Sequence, residues 1–376
     1  MDFSFTEEQT LLRNSVSKFL ADHYKFEFFK KNSRTDPGWS PGTWKQFAEL
    51  GLMAAPLPEA HGGLGGGPLD TMIVMEEFGR SLVVEPYAQT VVVGGGFLGH
   101  GGSEAQKAEW LPRIAAGETV IAFAFAEPQG RFNYADLTTT AKKQGSGFVL
   151  SGQKAVVLGG PWADTFIVTA RTAGGQRDDK GVSVFLIDKK AKGIATRDYP
   201  TIDGLRASEV TFENVEIPAT NLLGALDNGL DLVERVTDEA IAAHASEAVG
   251  AMKVLLDTTV EYSKTRKQFG VPIGKFQALQ HRMVDMFMNY EQSASIALMV
   301  TLKLGETAVE RKKAASAAKV QIGKAGRFIG QNAVQIHGGM GMTDELSVGH
   351  YFKRLTMLDT LYGNVDYHLK RYAQLG

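Results

Sequence analysis

Two glycine-bearing segments in the last third of the chain combine residue types that suit a phosphate-containing ligand. Residues 266–270 (RKQFG) follow a predicted long helix, and residues 335–341 (QIHGGMG) end another. An arginine can hold a phosphate through two parallel hydrogen bonds, and glycines let a backbone approach a ligand closely. Taken alone, each segment is also typical of an ordinary helix C-cap, and His337 is more typical of a structural histidine than of a base.

The elements that must position these segments follow from the periodicity of the chain, which predicts three domains. Residues 1–120 are helical: apolar residues recur at helical spacing after Thr6, which begins a capping-box pattern. Residues 121–222 contain short apolar runs bounded by turn residues, with no long helix between them, which predicts a small antiparallel sheet. Residues 223–376 return to helical spacing, and Gly323, Gly326 and Gly330 within a long helix permit close helix packing.

Composition excludes several classes of protein. The 376 residues carry 40 Lys+Arg and 42 Asp+Glu, a net charge of −2 that argues against a general nucleic-acid binder. The absence of cysteine excludes disulfides, thiol nucleophiles and cysteine-bound metals. The sequence shows no signal peptide and no apolar run of about 18 residues, which predicts a cytoplasmic protein without a membrane span. The glycine-rich stretch 61–68 follows no predicted strand, which argues against a phosphate-binding loop.

Taken together, the order of the domains and the spacing of the two segments resemble the acyl-CoA dehydrogenase family over essentially the whole chain. Ala126-Glu127-Pro128 resembles the Thr-Glu-Pro segment of the family, and Gly152-Gln153-Lys154 resembles the start of its Gly-x-Lys-x-Trp-Ile-Thr strand. The resemblance implies an α+β fold with an N-terminal helical domain, a middle antiparallel β-domain and a C-terminal four-helix bundle. It also implies an FAD enzyme that removes a proton and a hydride from an acyl-CoA thioester.

The resemblance further implies an FAD site shared between two subunits, in which a neighbouring chain holds the ADP end. The positions that match this contribution are retained in the sequence. Arg266 would contact the pyrophosphate, and the 335–339 segment would line the adenosine and ribose end. The predicted cofactor-binding residues are Arg266, Gln268, Phe269, Gln277, Gln335, Ile336, His337, Gly338 and Gly339.

The half of the site that would hold the flavin ring departs from the family pattern. Ala126 stands in place of a threonine, Val156 in place of a tryptophan and Leu158 in place of a second threonine. The acyl-CoA half is altered as well. Residues 129–133 (QGRFN) occupy the Gly-Ala-Gly-Ser-Asp stretch of the family, and Phe132 cannot supply the hydroxyl of its serine.

The glutamate that acts as the base in relatives is missing at both positions where members of the family place it. The loop position is Gly363 and the helical position is Ala240, so we predict no catalytic residue. Asp238 matches an aspartate that helps to hold CoA. Glu239 and Asp366 lie near the two base positions and are the alternatives for a base, although a base must come within hydrogen-bond distance of its proton.

This selective loss predicts a non-catalytic subunit, since the family includes heteromeric members in which one subunit type has lost the base. The chain would complete the ADP half of the FAD site of a catalytic large subunit in a heterotetramer. That partner would bind most of the acyl-CoA, and the resemblance implies an electron-transfer flavoprotein as acceptor. A self-sufficient homomer that uses Asp366 or Glu239 is the alternative, and a structural protein without flavin is a third hypothesis. Acyl-chain length is not encoded in these motifs.

Overall fold

The computed structural model describes residues 4–376, and the predicted order of helical, β and helical segments is confirmed. The capping box at Thr6 is present: its hydroxyl accepts from the amide of Gln9, whose side chain in turn accepts from the amide of Thr6. A π-helical stretch, Ala88–Gly94, leads into α5. The α-helices are α1 Glu7–His23, α2 Phe26–Asn32, α3 Pro41–Glu49, α4 Pro68–Ser81, α5 Gly95–Gly101, α6 Glu104–Ala115, α7 Leu230–Thr265, α8 Gln277–Lys303, α9 Ala308–His337, α10 Ser347–Thr360 and α11 Val365–Gln374.

The middle of the chain forms an eight-stranded sheet and a separate two-stranded hairpin. The sheet order is β6-β7-β3-β2-β4-β5-β8, with β1 beside β4. Pairing is antiparallel except between β1 and β4 and between β2 and β4. The strands are β1 Ile121–Ala124, β2 Thr140–Gln144, β3 Gly147–Leu158, β4 Thr165–Arg171, β5 Val182–Asp188, β6 Ile194–Pro200, β7 Arg206–Pro218, β8 Leu222–Leu223, β9 Lys267–Gln268 and β10 Val271–Pro272.

The short apolar runs that predict the sheet lie in β1, β3, β4, β5 and β7, whereas the shorter or more polar strands were not predicted. β4 and most of β5 are buried along their length, and their apolar side chains form the core of the sheet. β2 and β6 expose most of their residues, so they lack the apolar runs by which a strand is recognised.

The described residues divide into two compact units. One contains the residues up to Lys31, Pro68–Val83 and Ile241–Gly376. The other contains Asn32–Gly67 and Val84–Ala240, and thus the eight-stranded sheet.

Small residues bring helices of the first unit together: the sequence predicts this for Gly330 of α9, and the structure adds Gly250 of α7. A Cβ on Gly330 of α9 would lie 2.4 Å from the ring of Phe352 on α10. A Cβ on Gly250 of α7 would lie 1.9 Å from the carbonyl oxygen of Glu76 on α4. Only a residue without a side chain permits such an approach.

The glycine-rich stretch after α3 is a closed loop in the second unit. The amides of residues 62–66 all donate to backbone carbonyls between Ala54 and Glu59. Because these donors are already used, they are not directed at a phosphate.

Candidate functional site

Residues 266–270 and 335–341 meet at one end of the helices of the first unit. The ring of Tyr262, one turn before Arg266 on α7, stacks on the ring of His337 at the end of α9, with 4.3 Å between centroids and 26° between planes. The hydroxyl of Tyr262 donates to the carbonyl of His337 at 3.4 Å. Residues 75 positions apart are thereby held in one place.

The segment after Arg266 is a two-residue hairpin between β9 and β10. Phe269 and Gly270 form its turn with φ of 55° and 81°, the positive pair that a type I′ turn requires. The amide of Ile273 donates to the carbonyl of Arg266 at 2.8 Å and closes the hairpin onto the end of α7. The side chains of Arg266 and Gln268 are exposed, as is that of Gln277 at the start of α8.

The segment at the end of α9 combines a buried support with an open surface. Ile336 and His337 are buried, and Nδ1 of His337 lies 2.8 Å from the carbonyl of Ala333. Burial lowers the pKa of His337, which favours its neutral imidazole. Gly338 ends the helix with φ 60°, and a Cβ on Gly338 or Gly339 would meet no atom within 4 Å.

This arrangement fits the ADP half of a dinucleotide. It presents an exposed guanidinium at Arg266 and a stretch of glycine backbone that a ligand can approach closely. Gln335, also exposed, adds an amide that can both donate and accept.

The positions that would face the flavin ring lie in the second unit and do not fit one. Ala126 follows β1, and Val156 and Leu158 lie on β3; none of them carries a hydroxyl or an aromatic ring. Val156 is exposed with φ 52°, at an irregularity in the pairing of β3 with β7. A β-branched residue with positive φ is strained, and this conformation does not supply the missing groups.

The retained parts of the middle-domain motifs have a structural role. Nζ of Lys154 lies 2.7 Å from Oε1 of Glu127, and both side chains are fully buried. Glu127 also accepts from the amide and the hydroxyl of Thr138 and from the amide of Thr139. Burial raises the pKa of Glu127. The charge and hydrogen bond of Lys154 and the hydroxyl of Thr138 nevertheless hold this pKa well below its usual range. The pair anchors the loop after β1.

That loop presents Arg131 and Phe132 where the resemblance places the acyl-CoA contact. Arg131 is exposed and has φ 48°, a conformation that glycine adopts without strain. Gly130 is required because a Cβ there would lie 2.9 Å from the carbonyl oxygen of Asp136. The turn therefore carries the large, positively charged side chain of Arg131 at its tip.

A glutamate at the loop position of the missing base would clash with its neighbours unless they moved. Gly363 has φ 114°, and a Cβ there would lie 2.4 Å from Cδ1 of Tyr367 and 2.7 Å from Nε2 of His368. Nε2 of His368 lies 3.0 Å from the carbonyl of Tyr362, and burial lowers the pKa of His368 to about 3. A neutral, hydrogen-bonded histidine therefore occupies the space beside Gly363.

The helical base position is also without a usable carboxylate. Ala240 is buried and Asp238 is fully buried. Oε1 of the neighbouring Glu239 lies 2.8 Å from Nε2 of His100 and 2.8 Å from Nε of Arg235. Burial raises the pKa of Glu239, but the hydrogen bonds and charges of these two partners lower it below its ordinary value. Such a carboxylate is a weaker base than a free one.

Asp366 is exposed in the first turn of α11, three residues after Gly363. Asn364 begins this helix by accepting from the amide of Tyr367 at 3.0 Å. Asp366 thus belongs to a capped helix rather than to the turn that contains Gly363.

The sequence analysis missed a buried polar network under the base loop. Glu247 on α7 accepts from Arg354 of α10, with Nε at 2.6 Å and Nη2 at 2.9 Å, and lies 2.9 Å from Nδ1 of His244. The ring of His244 stacks on that of Tyr362, with centroids 6.1 Å apart. In the sequence, this network is indicated by a charged residue, Glu247, among alanines, glycines and valines. It stands at a helix position where packing predicts an apolar residue.

Lys319 of α9 is a second buried cation that the sequence analysis missed. Its Nζ donates to the carbonyls of Leu358, Asp359 and Leu361 at 2.6, 3.0 and 2.7 Å. It therefore satisfies carbonyls at the end of α10 that lack helical partners. Burial lowers the pKa of Lys319 to about 7.

Family models match almost the whole chain. The N-terminal, middle and C-terminal domains of acyl-CoA dehydrogenases match residues 6–118, 122–215 and 227–374. The chain belongs to the acyl-CoA dehydrogenase family. Among its relatives is a probable acyl-CoA dehydrogenase of Bacillus subtilis (strain 168). It is 31% identical over 367 residues, which cover 96% of this chain and 95% of the relative.

Solved structures of acyl-CoA dehydrogenases and related proteins agree along the full length. The Tcur3481-Tcur3483 steroid ACAD has a TM-score of 0.88 at 27% identity, over 98% of this chain and 97% of that one. The FAD complex of PigA has a TM-score of 0.91 at 25% identity, over 100% and 98%. FAD is the cofactor of this family of oxidoreductases.

Within residues 4–376, none of the helices has the length and hydrophobicity that a membrane span requires. The same residues contain no group of three or more histidine, aspartate or glutamate side chains placed to hold a metal ion.

Proposed function

We propose that this acyl-CoA dehydrogenase chain is the non-catalytic subunit of a heteromeric enzyme. It donates the ADP-binding half of the FAD site to a catalytic large subunit, with two copies of each chain. One observation carries the proposal: the Arg266 hairpin and the 335–339 segment meet and present open polar groups, whereas Gly363 is packed against His368. An open donating half together with a closed base position is what a non-catalytic partner subunit requires.

In the proposed complex, FAD supplies the hydride acceptor for α,β-desaturation of an acyl-CoA thioester on the partner chain. The residues of this chain bind and orient the cofactor. Arg266 neutralises the pyrophosphate, Gln268 and Gln277 add hydrogen bonds, and the open backbone at Gly338 and Gly339 receives the adenosine end. The partner binds most of the acyl-CoA, and an electron-transfer flavoprotein takes up the electrons.

The type of subunit is suggested by a finer resemblance. Gly363, the turn 158–164 and the segment 335–346 (QIHGGMGMTDEL) resemble the small subunit of a pimeloyl-CoA dehydrogenase. The paired name of the Tcur3481-Tcur3483 steroid ACAD supports an assembly of two unlike chains. A role in the β-oxidation of fatty or dicarboxylic acids in the cytoplasm belongs to the same proposal.

The alternative is a self-sufficient homomer that uses Asp366 or Glu239 as its base. The hydrogen bonds of Glu239 to His100 and Arg235 argue against the second residue. Asp366 is exposed and is the alternative base that remains to be tested.

The deciding experiment is the visible flavin spectrum and the FAD-to-chain ratio. Both are measured for the chain alone and for the chain co-expressed with a candidate catalytic chain. We expect no flavin on the chain alone and one FAD per pair of unlike chains. One FAD per chain in an isolated homomer that oxidises an acyl-CoA would overturn the proposal.

Arg266→Ala tests the half-site directly. We expect FAD retention in the complex to fall at least about tenfold, because a charge-assisted contact to phosphate is lost. Lys142→Ala, which removes an exposed cation from β2 in the other unit, is the matched control and should retain FAD. Equal retention in both variants would contradict the assignment.

A further inference from the structure

Tyr262 joins the two segments of the proposed half-site through its backbone and its side chain. Its carbonyl accepts from the amide of Arg266 at 2.9 Å, at the end of α7. Its ring stacks on that of His337, with 4.3 Å between centroids, and its hydroxyl donates to the carbonyl of His337. Tyr262 therefore links the helix end that carries the arginine to the helix end that precedes the glycines.

The peptide group between His337 and Gly338 is held at both of its polar atoms. Its carbonyl oxygen accepts from the hydroxyl of Tyr262 at 3.4 Å, and its amide donates to the carbonyl of Gln335. Because a peptide group is planar, two such contacts fix its orientation. The contact at the amide comes from α9 itself, whereas the contact at the carbonyl comes from α7.

The orientation of this peptide group sets the course of the open backbone that follows it. Gly338 has φ 60° and ψ −140°, close to a region that is reached almost only by glycine. A Cβ on Gly338 or on Gly339 would meet no atom within 4 Å. Because neither glycine has a side chain that packs against the protein, the course of their backbone depends on the contacts of His337.

The imidazole of His337 offers Tyr262 a fixed partner for the stack. The imidazole is buried, and its Nδ1 lies 2.8 Å from the carbonyl of Ala333, one turn earlier on α9. A Cβ on Gly341 would lie 3.1 Å from Cβ of His337, so the chain beyond the two open glycines packs against the same histidine. The position of His337 is therefore set from three sides, and Tyr262 provides the side that faces α7.

We propose that Tyr262 is a positioning residue of the ADP half-site, which keeps the open backbone of Gly338 and Gly339 in a fixed orientation relative to Arg266. This inference rests on the proposed function and adds a residue that acts on FAD through His337. The ring and the hydroxyl of Tyr262 are both engaged by that histidine. Segments that are ordered before the cofactor arrives lose less conformational freedom on binding, so the affinity for FAD is higher.

The test measures the Kd of FAD for the assembled complex of unlike chains and the melting temperature of this chain alone. Tyr262→Phe keeps the ring and removes the hydroxyl, so the Kd should rise about three- to fivefold. Tyr262→Leu removes the ring stack as well, and the Kd should rise at least about tenfold. Tyr372→Phe, at an exposed ring in the last turn of α11, is the matched control and should leave the Kd unchanged.

A double-mutant cycle separates positioning from a general structural role. Gly339→Ala obstructs the backbone on which Tyr262 acts, so in that variant Tyr262→Phe should raise the Kd by less than about twofold. The hydroxyl of Tyr262 is only partly buried, so Tyr262→Phe should leave the melting temperature of the chain within about 2 °C of the wild type.

Three results would overturn the inference. If both Tyr262 variants leave the Kd of FAD unchanged, the residue does not position the site. If Tyr262→Phe lowers the melting temperature in step with the loss of FAD, the role of the residue is structural. If the effect of Tyr262→Phe is undiminished in Gly339→Ala, Tyr262 does not act through the glycines. The proposed function fails separately, through FAD retention in Arg266→Ala.

Discussion

Gly338 and Gly363 both follow a helix and both have positive φ, yet their surroundings are opposite. A Cβ on Gly338 would meet nothing within 4 Å, whereas a Cβ on Gly363 would lie 2.7 Å from Nε2 of His368. At the end of α9 the missing side chain leaves a surface that a ligand can approach. After α10, the space that a side chain at Gly363 would need is filled by Tyr367 and His368. The same residue type therefore marks an open site in one place and a closed one in the other.

The largest change in stability should come from the buried network of Glu247, Arg354 and His244 beneath the loop of Gly363. Glu247→Ala leaves Arg354 buried without its carboxylate, and such a loss costs about 3–5 kcal/mol. We expect a corresponding drop in the free energy of unfolding, measured in urea. Glu261→Ala, at an exposed position of α7, is the control and should change it by less than about 0.5 kcal/mol. A small effect for Glu247→Ala would show that the loop does not depend on this network.

Direct substitution of the two glycines tests the comparison itself. Gly363→Ala meets Tyr367 and His368 and should lower the free energy of unfolding by about 3 kcal/mol. Gly339→Ala meets nothing and should lower it by less than about 1 kcal/mol, but should weaken FAD retention in the complex. For the same reason Gly363→Glu should destabilise the chain without restoring a base. Equal losses of stability at 339 and 363 would remove the distinction between open and closed sites.

The pH dependence of the free energy of unfolding should reveal the titration of Lys319, the buried amine that holds the closed loop. The pKa of Lys319 is lowered from 10.5 to about 7 in the folded chain. Between these values the unfolded chain binds the extra proton, so the free energy of unfolding rises with pH, by up to about 1.4 kcal/mol per unit. We expect this rise between pH 7 and 9 in urea titrations. In Lys319→Met the slope over the same range should be smaller, and an unchanged slope would mean that another group is responsible.

The smallest effect is expected at the altered flavin position. Val156→Gly relieves the strain of a β-branched residue at φ 52° and should raise the free energy of unfolding by roughly 0.5–1 kcal/mol. Val149→Gly, on the same strand without positive φ, should instead destabilise the chain. If Val156→Gly also destabilises, packing of the valine outweighs the backbone strain at this position.

Local signals determined much of this protein. The capping box at Thr6, the apolar runs of β4 and β5, and the glycines of α9 were all recognisable because each depends on neighbours in the chain. The motifs around residues 266 and 335, together with the order of the domains, carried the resemblance to the family. The absence of a glutamate at Gly363 and Ala240 was equally readable from residue identity.

Contacts between distant residues were decided only by the tertiary structure. The stacking of Tyr262 on His337 joins residues 75 positions apart, and no local pattern encodes it. The hydrogen bond between Glu239 and His100 joins residues 139 positions apart. The polar strands β2 and β6 form because neighbouring strands pair with them, although their own sequences lack apolar runs. Residue identity fixes which chemistry is possible, and packing decides which of those groups are free to use it.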